Sequence, residues 1–144
     1  MTATPPPLRG ACGCGAVRFE ITSPLLDASY CHCTRCQRRT GTAASANARV
    51  AEGSFQVIAG AEHLSAWRPE GGAEKWFCAR CGSALFSRRR AGQGGEPERL
   101  AVRLGAIEGD PGIRPSAHQF VAYAASWEEL PDDGLPRHQE RAPG

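Results

Sequence analysis

Short segments of the chain alternate apolar and polar residues, which is the pattern of half-buried β-strands. In residues 16–21, the apolar Val17, Phe19 and Ile21 alternate with charged residues. Similar segments follow along the chain at residues 54–60, 74–86, 99–109 and 117–123. The sequence therefore predicts a mainly β fold that is built from short strands.

Helical periodicity is weak, and the best helix candidate is short. It lies in residues 33–41, where Thr34 is a candidate N-cap and Gly41 is a candidate C-terminal end. Residues 88–98, which begin with three arginines and are rich in glycine, predict an exposed loop.

The length of 144 residues fits a single domain. We expect residues 1–8, which are rich in proline, to form a flexible arm, residues 9–136 to form the domain, and residues 137–144 to form a tail. No apolar run approaches the roughly 20 residues of a membrane helix, and the first residues lack a signal-peptide core. We therefore expect a cytoplasmic protein without a membrane partner.

Seven cysteines are the strongest chemical signal in the chain. They form three groups: Cys12 and Cys14; Cys31, Cys33 and Cys36; Cys78 and Cys81. A reducing cytosol disfavours disulfides, and an odd number of cysteines cannot pair completely, so metal binding is the favoured interpretation. Because zinc is tetrahedral and structural sites have four protein ligands, seven ligands divide as four plus three.

Two divisions of the cysteines compete. The first joins Cys12 and Cys14 to Cys78 and Cys81, and the second joins the two CxxC units and leaves three cysteines over. A zinc knuckle turns sharply after its last cysteine, often at a positive φ that glycine adopts at low cost. Gly15 follows Cys14 and Gly82 follows Cys81, whereas Cys36 is followed by glutamine. This favours the first division.

Under that division Cys31, Cys33 and Cys36 leave the fourth position of a metal open. His32 lies between two ligands, so we expect its side chain to point away, and His63 or His118 are alternatives from elsewhere in the chain. Water or an exogenous thiol is the remaining and favoured occupant. An open position distinguishes catalytic zinc from structural zinc.

The formal net charge of the chain is +2 with every cysteine neutral. It falls to about −1 if seven thiolates hold two zinc ions, since each thiolate adds one negative charge and each ion two positive charges. Nucleic-acid binding typically needs a strongly basic face. We therefore expect no nucleic-acid partner.

Four segments carry a resemblance to a known family. They are "GACGCGAVRFE" at residues 10–20, "YCHCTRCQRRTG" at 30–41, "WFCARCGSALF" at 76–86 and "RPSAHQFVAYAASWEELPDDGLP" at 114–136. Together they resemble the glutathione-dependent formaldehyde-activating enzyme family, whose zinc domain is shared with the centromere protein V group. The resemblance covers residues 8–136, with one small departure at Gly13, where many relatives have histidine.

The resemblance implies a β-tent fold of the Mss4-like type, with short antiparallel sheets held by zinc. It implies two zinc ions per chain. The structural ion would be bound by Cys12, Cys14, Cys78 and Cys81. The second ion, with the open position, would be bound by Cys31, Cys33 and Cys36.

The reaction implied by the resemblance is the joining of glutathione to formaldehyde by a carbon–sulfur lyase or synthase. We therefore expect a small thiol and an aldehyde as partners. Two alternatives stay open, namely a non-enzymatic thiol-binding or glutathione-binding zinc protein and, less favoured, a scaffold or chromatin-associated module. The last is disfavoured because the chain lacks a long basic extension.

Four other residues are weaker candidates for this site. His118 is a candidate acid or base, although a histidine on a strand is more often structural. Arg35, Arg38 and Arg39 follow the tri-cysteine loop and are candidates for steering an anionic thiol substrate. The alternative for these arginines is a solvated surface role.

Overall fold

A computed structural model of the chain describes residues 6–92 and 97–141. Its regular structure is short β-strands and a single helix, α1, at Thr34–Thr40. The strands are β1 (Leu8–Ala11), β2 (Arg18–Ile21), β3 (Ala28–Cys31), β4 (Ser45–Val50), β5 (Phe55–Ala59), β6 (Leu64–Trp67), β7 (Glu74–Cys78), β8 (Ala84–Arg89), β9 (Arg99–Arg103) and β10 (His118–Gln119). Turns of 3-10 helix lie at Ala61–His63, Leu104–Ala106 and Val121–Tyr123.

The strands form two sheets. The smaller has the order β1-β2-β5, and the larger has the order β10-β3-β4-β9-β8-β7-β6. All pairs are antiparallel except β10 and β3, which are parallel. The mainly β fold predicted by the sequence is confirmed.

The hydrophobic core joins the two sheets. Phe55 of the smaller sheet lies with its ring centroid 5.1 Å from that of Phe19 and 4.8 Å from that of Phe86 in the larger sheet. Val17, Phe19 and Ile21, the residues that alternate along the first predicted strand, are almost completely buried. Burying such side chains stabilises the fold by about 1.5–3 kcal/mol each.

The five segments predicted to contain strands all do so. The segment at residues 117–123 contributes only the two residues of β10, because the chain then turns into a 3-10 helix at Val121–Tyr123. Four strands were not predicted, namely β1, β3, β4 and β6. In β4, small alanines replace the large apolar residues that make alternation visible.

The short helix has the predicted end but a different cap. Gly41 ends it with φ 69°, the left-handed conformation that glycine favours. The N-cap is Cys33 rather than Thr34, and its sulfur accepts a hydrogen bond from the backbone N–H of Cys36 at 3.3 Å. Cys33 therefore caps the N-terminus of the helix, a role that serine or aspartate usually fills.

The ends of the chain and the predicted loop are only partly described. The loop at residues 88–98 begins later than predicted, because Arg88 and Arg89 belong to β8, and residues 93–96 lie outside the described residues. Residues 1–5 of the predicted arm and residues 142–144 of the predicted tail also lie outside. Of the tail, His138 and Glu140 accept backbone hydrogen bonds from Val121 and Phe120 at 3.0 and 2.9 Å. In the described part of the chain, no helix has the length and apolar character to cross a membrane.

Candidate active site

Four cysteines meet where β1 turns into β2 and where β7 turns into β8. Cys12, Cys14, Cys78 and Cys81 have their sulfur atoms within 4.8 Å of one another. The sulfur of Cys14 lies 3.6 Å from that of Cys12 and 3.9 Å from that of Cys78. Sulfur ligands of a tetrahedral zinc lie about 3.8 Å apart, so this group fits a zinc ion.

The turns around this group explain its geometry. Gly15 and Gly82 have φ of 78° and 79°, as the knuckle argument predicts. The hydroxyl of Ser83 joins the two turns, since it accepts a hydrogen bond from the N–H of Gly13 at 2.8 Å and lies 3.1 Å from the sulfur of Cys81. Hydrogen bonds from Ser83 lower the pKa of the Cys81 thiol to about 5, which favours the thiolate that a metal binds.

The other three cysteines lie at the end of β3 and the start of α1. Cys31 is the last residue of β3, Cys33 caps the helix, and Cys36 lies in its first turn. Their sulfur atoms also lie within 4.8 Å of one another, so the group could hold a metal ion. Within residues 6–92 and 97–141, no histidine, carboxylate or further cysteine joins the group as a fourth ligand. The tri-cysteine group therefore offers a metal three protein ligands.

His32 points away from the tri-cysteine group, as expected of a residue between two ligands. Its Nε2 lies 2.8 Å from Nδ1 of His118, and Nε2 of His118 lies 2.8 Å from a carboxylate oxygen of Asp133. With both rings neutral, Asp133 accepts from His118, and His118 accepts from His32, because a carboxylate can only accept. His118 lowers the pKa of Asp133, and burial lowers the pKa of His32.

The backbone of His32 is held as firmly as its side chain. Its N–H donates to the carbonyl of Gln119 at 2.9 Å, and its carbonyl accepts from the side-chain amide of Gln37 at 2.8 Å. The same amide also donates to the carbonyl of Tyr123 at 2.8 Å. The tri-cysteine loop is therefore fixed at its midpoint by residues about 90 positions further along the chain.

A series of polar side chains, connected by hydrogen bonds, crosses the larger sheet beside the tri-cysteine group. Ser45 pairs with Cys31 across β3 and β4, and its hydroxyl accepts from the side-chain amide of Asn47 at 2.9 Å. The oxygen of that amide accepts from Nη1 of Arg103 at 2.8 Å, and Nη2 of Arg103 donates to the hydroxyl of Ser87 at 2.8 Å. Arg103 is only 9% exposed.

Two further cations accompany Arg103. Nζ of Lys75 lies 3.5 Å from the hydroxyl of Ser87, and the guanidinium of Arg39 lies over the ring of Phe77 at 5.4 Å. Burial lowers the pKa of Lys75, Arg39 and Arg103, and the nearby Cys36 sulfur opposes this effect in all three. Contacts with Cys31 and Cys33 lower the pKa of Cys36, as do Ser45 and Arg103.

The three arginines named from the sequence have different surroundings. Arg35 is exposed and stacks over the ring of Trp67 at 5.8 Å, and Arg38 is exposed. Arg39 is half-buried, and its Nε and Nη2 have no hydrogen-bond partner. Arg103 and Lys75 were not predicted from the sequence, because each is a charged residue of a short strand and so resembles an ordinary surface residue.

Two cavities are lined by residues near the tri-cysteine group in the chain or the sheet, although none of its three cysteines lines either one. A cavity of about 640 Å³ lies towards the four-cysteine group and is lined in part by Cys12, Thr40, Ser45, Ser83, Arg103 and Glu108. A cavity of about 350 Å³ lies against the two histidines and is lined in part by Tyr30, His32, Thr42, His118, Ala125 and Glu128. Cavities that bind small molecules commonly measure about 300–1,000 Å³, so both could hold one.

Comparison with known proteins identifies the family of this chain. The sequence pattern of the family described as "Glutathione-dependent formaldehyde-activating enzyme" matches residues 7–123. The chain belongs to this family. The match includes both groups of cysteines.

Two curated relatives carry the family name. A Halomonas elongata protein named "Putative glutathione-dependent formaldehyde-activating enzyme" is 36% identical over 85 residues, which is 55% of this chain and 54% of that protein. A Sordaria macrospora protein of the same name is 28% identical over 74 residues, or 51% of this chain and 31% of that protein. The matched regions thus span about half or less of these relatives.

A solved structure supports the fold of this family member. The crystal structure of a Rhodobacter sphaeroides protein is similar with a TM-score of 0.55 and 31% sequence identity. The similarity covers 90% of this chain and 98% of the other.

Proposed function

We propose that this family member binds two zinc ions and uses only one of them in chemistry. Cys12, Cys14, Cys78 and Cys81 provide four thiolates, so a zinc ion there is closed and holds the fold. Cys31, Cys33 and Cys36 provide three, so a zinc ion there keeps one position for a small molecule. The observation that carries the proposal is this difference between a closed group and an open one.

The reaction we propose joins a small thiol, such as glutathione, to an aldehyde, such as formaldehyde. The thiolate sulfur donates an electron pair to the carbonyl carbon and forms a carbon–sulfur bond, while the π bond of the carbonyl breaks and its electron pair moves to the oxygen. The oxygen then gains a proton, which replaces the proton that the thiol lost. The product is a hemithioacetal, which for formaldehyde is the S-hydroxymethyl adduct, and the reverse reaction is a carbon–sulfur lyase reaction.

Cys31, Cys33 and Cys36 would hold the zinc ion of the open site, which would supply the acidity that keeps an incoming thiol deprotonated. The residues of the chain supply the position and the surroundings of that thiol. Arg39, Lys75 and Arg103 place positive charge beside the three thiolates. The cavity of about 640 Å³ beside Ser45 and Arg103 has room for the remainder of the thiol and for the aldehyde.

His118 fits a positioning role better than a proton-transfer role. It is 2% exposed, and both of its ring nitrogens already have partners, in His32 and Asp133. Proton transfer to a substrate needs a nitrogen within hydrogen-bond reach of it. We therefore propose that His118 holds the tri-cysteine loop. Of the three candidate arginines, Arg39 is half-buried beside the group, whereas Arg35 and Arg38 are exposed.

The exchange of formaldehyde with its glutathione adduct, measured by magnetisation-transfer NMR, tests the proposed reaction. We expect the purified protein to accelerate this exchange and Cys33→Ser to abolish the acceleration. Thr34→Ala is the matched control, because Thr34 is the exposed next residue and is not the helix cap. Exchange at the uncatalysed rate, with thiol bound to the metal, would instead indicate the non-enzymatic thiol-binding alternative.

A further inference from the structure

The cations beside the tri-cysteine group have no carboxylate partners. Among the described residues, no aspartate or glutamate lies within 4.0 Å of the charged nitrogens of Arg39, Lys75 or Arg103, although ion pairs of that length join other arginines to acidic residues. Nε of Arg103 and both Nε and Nη2 of Arg39 are buried without a hydrogen-bond partner. Buried charges are normally paired, so this arrangement needs an explanation.

The tri-cysteine group supplies the missing negative charge only in part. Three thiolates around a divalent ion carry one net negative charge, whereas three cations adjoin them. A neutral water molecule at the open position would leave the net charge of the metal and its ligands at about −1. A fourth thiolate would lower it to about −2, which is closer to the charge needed to neutralise the three cations. Arg103 is buried and Arg39 and Lys75 are half-buried, so water and salt screen these cations less than they screen exposed charges.

We propose that Arg103, with Lys75 and Arg39 beside it, is a specificity-determining residue that selects a thiolate over neutral ligands at the open metal position. The contacts of Arg103 with Asn47 and Ser87 hold its charge in place, and Asn47 bonds Ser45, which pairs with Cys31 across β3 and β4. This inference rests on the proposed function, since it concerns the ligand of the same open metal. On this proposal, residues of the larger sheet select the ligand, and the exposed Arg35 and Arg38 of α1 do not.

Ligand binding to protein loaded with cobalt(II) in place of zinc tests the inference, because sulfur–cobalt absorption bands report the fourth ligand directly. The probes are 2-mercaptoethanol, a thiol without another charged group, and imidazole, a neutral ligand. We expect Arg103→Met to weaken 2-mercaptoethanol binding about tenfold or more, while imidazole binding stays within about twofold or strengthens. Arg103→Lys keeps the charge and is expected to stay close to wild type.

Two variants make the result decisive. Arg99→Met removes an exposed arginine from the same strand, so it controls for net charge and is expected to bind both probes as wild type does. Lys75→Met repeats the test from β7, which β8 separates from the strand of Arg103, if Arg103→Met does not fold. An unchanged ratio of the two affinities in a folded, fully metallated Arg103→Met or Lys75→Met overturns this inference alone. A wild-type cobalt spectrum that does not respond to thiol overturns the proposed function and this inference with it.

Discussion

Nε2 of His32 lies 2.8 Å from Nδ1 of His118, and this contact joins the tri-cysteine loop to a strand 86 residues further along the chain. His118 stacks on Tyr30 with ring centroids 5.0 Å apart and is bonded to Asp133 on its other side. His32 is the residue between Cys31 and Cys33. This contact therefore holds the residue between Cys31 and Cys33 without involving either cysteine.

His118→Ala tests this role. The substitution leaves a cavity and two unpaired polar groups in a buried place, so we expect a loss of about 2–4 kcal/mol in the free energy of unfolding. We also expect the tri-cysteine group to lose its metal while the four-cysteine group keeps its own. Elemental analysis of the purified variant measures this as about one zinc per chain instead of two.

His63→Ala is the matched control for that experiment. His63 is a partly exposed histidine and lies outside both cysteine groups. We expect two zinc ions per chain in this variant. A His118→Ala protein that retains both ions as firmly as His63→Ala does would contradict the positioning role.

Cys78→Ser is expected to be far more damaging than Cys33→Ser. Cys78 is fully buried and joins the core, and its group ties the first turn of the chain to a turn some 65 residues later. A structural zinc contributes about 10 kcal/mol or more of apparent folding free energy. We expect Cys78→Ser to be largely unfolded by circular dichroism and Cys33→Ser to stay folded. Equal stability of the two variants would argue against a division between structural and open sites.

Gly60→Ala is expected to lower the thermal midpoint much more than Gly53→Ala. Both glycines have positive φ, 76° and 77°, so each alanine costs about 1–2 kcal/mol of conformational strain. A Cβ at residue 60 also overlaps the backbone carbonyl of Ala16, whereas a Cβ at residue 53 meets no atom within 4 Å. Thermal unfolding of the two variants measures the difference, and equal midpoints would contradict the close approach of residues 16 and 60.

Glu74→Gln tests a buried charge away from the metal groups. Glu74 accepts hydrogen bonds from Arg68 at 3.0 Å, from the indole of Trp76 at 3.3 Å and from Arg90 at 3.3 Å. Burial alone raises the pKa of Glu74, but these contacts outweigh it and the pKa is lowered. The substitution is expected to cost about 1–2 kcal/mol, since both arginines are partly exposed and screened by water.

The pH dependence of that cost follows from the sign of the shift. A depressed pKa means that the carboxylate stabilises the fold above its unfolded-state pKa of about 4.3, and that this contribution is lost as the pH falls through the folded-state value. We therefore expect the same cost at pH 6 and pH 8. A cost that halves between these two values, in chemical denaturation of zinc-loaded protein, would show that Glu74 is not charged as described.

The sequence predicted those features of the fold and the site that depend on residue types at neighbouring positions, such as a glycine at a positive φ or an alternating strand. Gly15 and Gly82 follow the last cysteine of their turns, and their positive φ values agree with the cysteine division that they favoured. Alternation at Val17, Phe19 and Ile21 marked a buried strand face correctly. These signals depend on residues that are close together in the chain.

The sequence was uninformative where a role depends on contacts between distant strands. Arg103 resembles an exposed strand residue in the sequence, yet the fold buries it against Asn47 and Ser87. Asp133 lies in a segment that reads as a polar turn, and nothing local indicates its contact with His118. In β4, small alanines alternate with polar residues, and Ser45 pairs with Cys31 of the neighbouring strand, so hydrophobic periodicity did not reveal the strand.

We propose above that the chain holds one closed metal site and one separable open site. Elemental analysis of zinc per chain, in the wild type and in a Cys31→Ser, Cys33→Ser, Cys36→Ser triple variant, tests this division. We expect two zinc ions in the wild type and one in the triple variant, with unchanged far-ultraviolet circular dichroism. One zinc ion in both proteins, or loss of the fold in the triple variant, would contradict it.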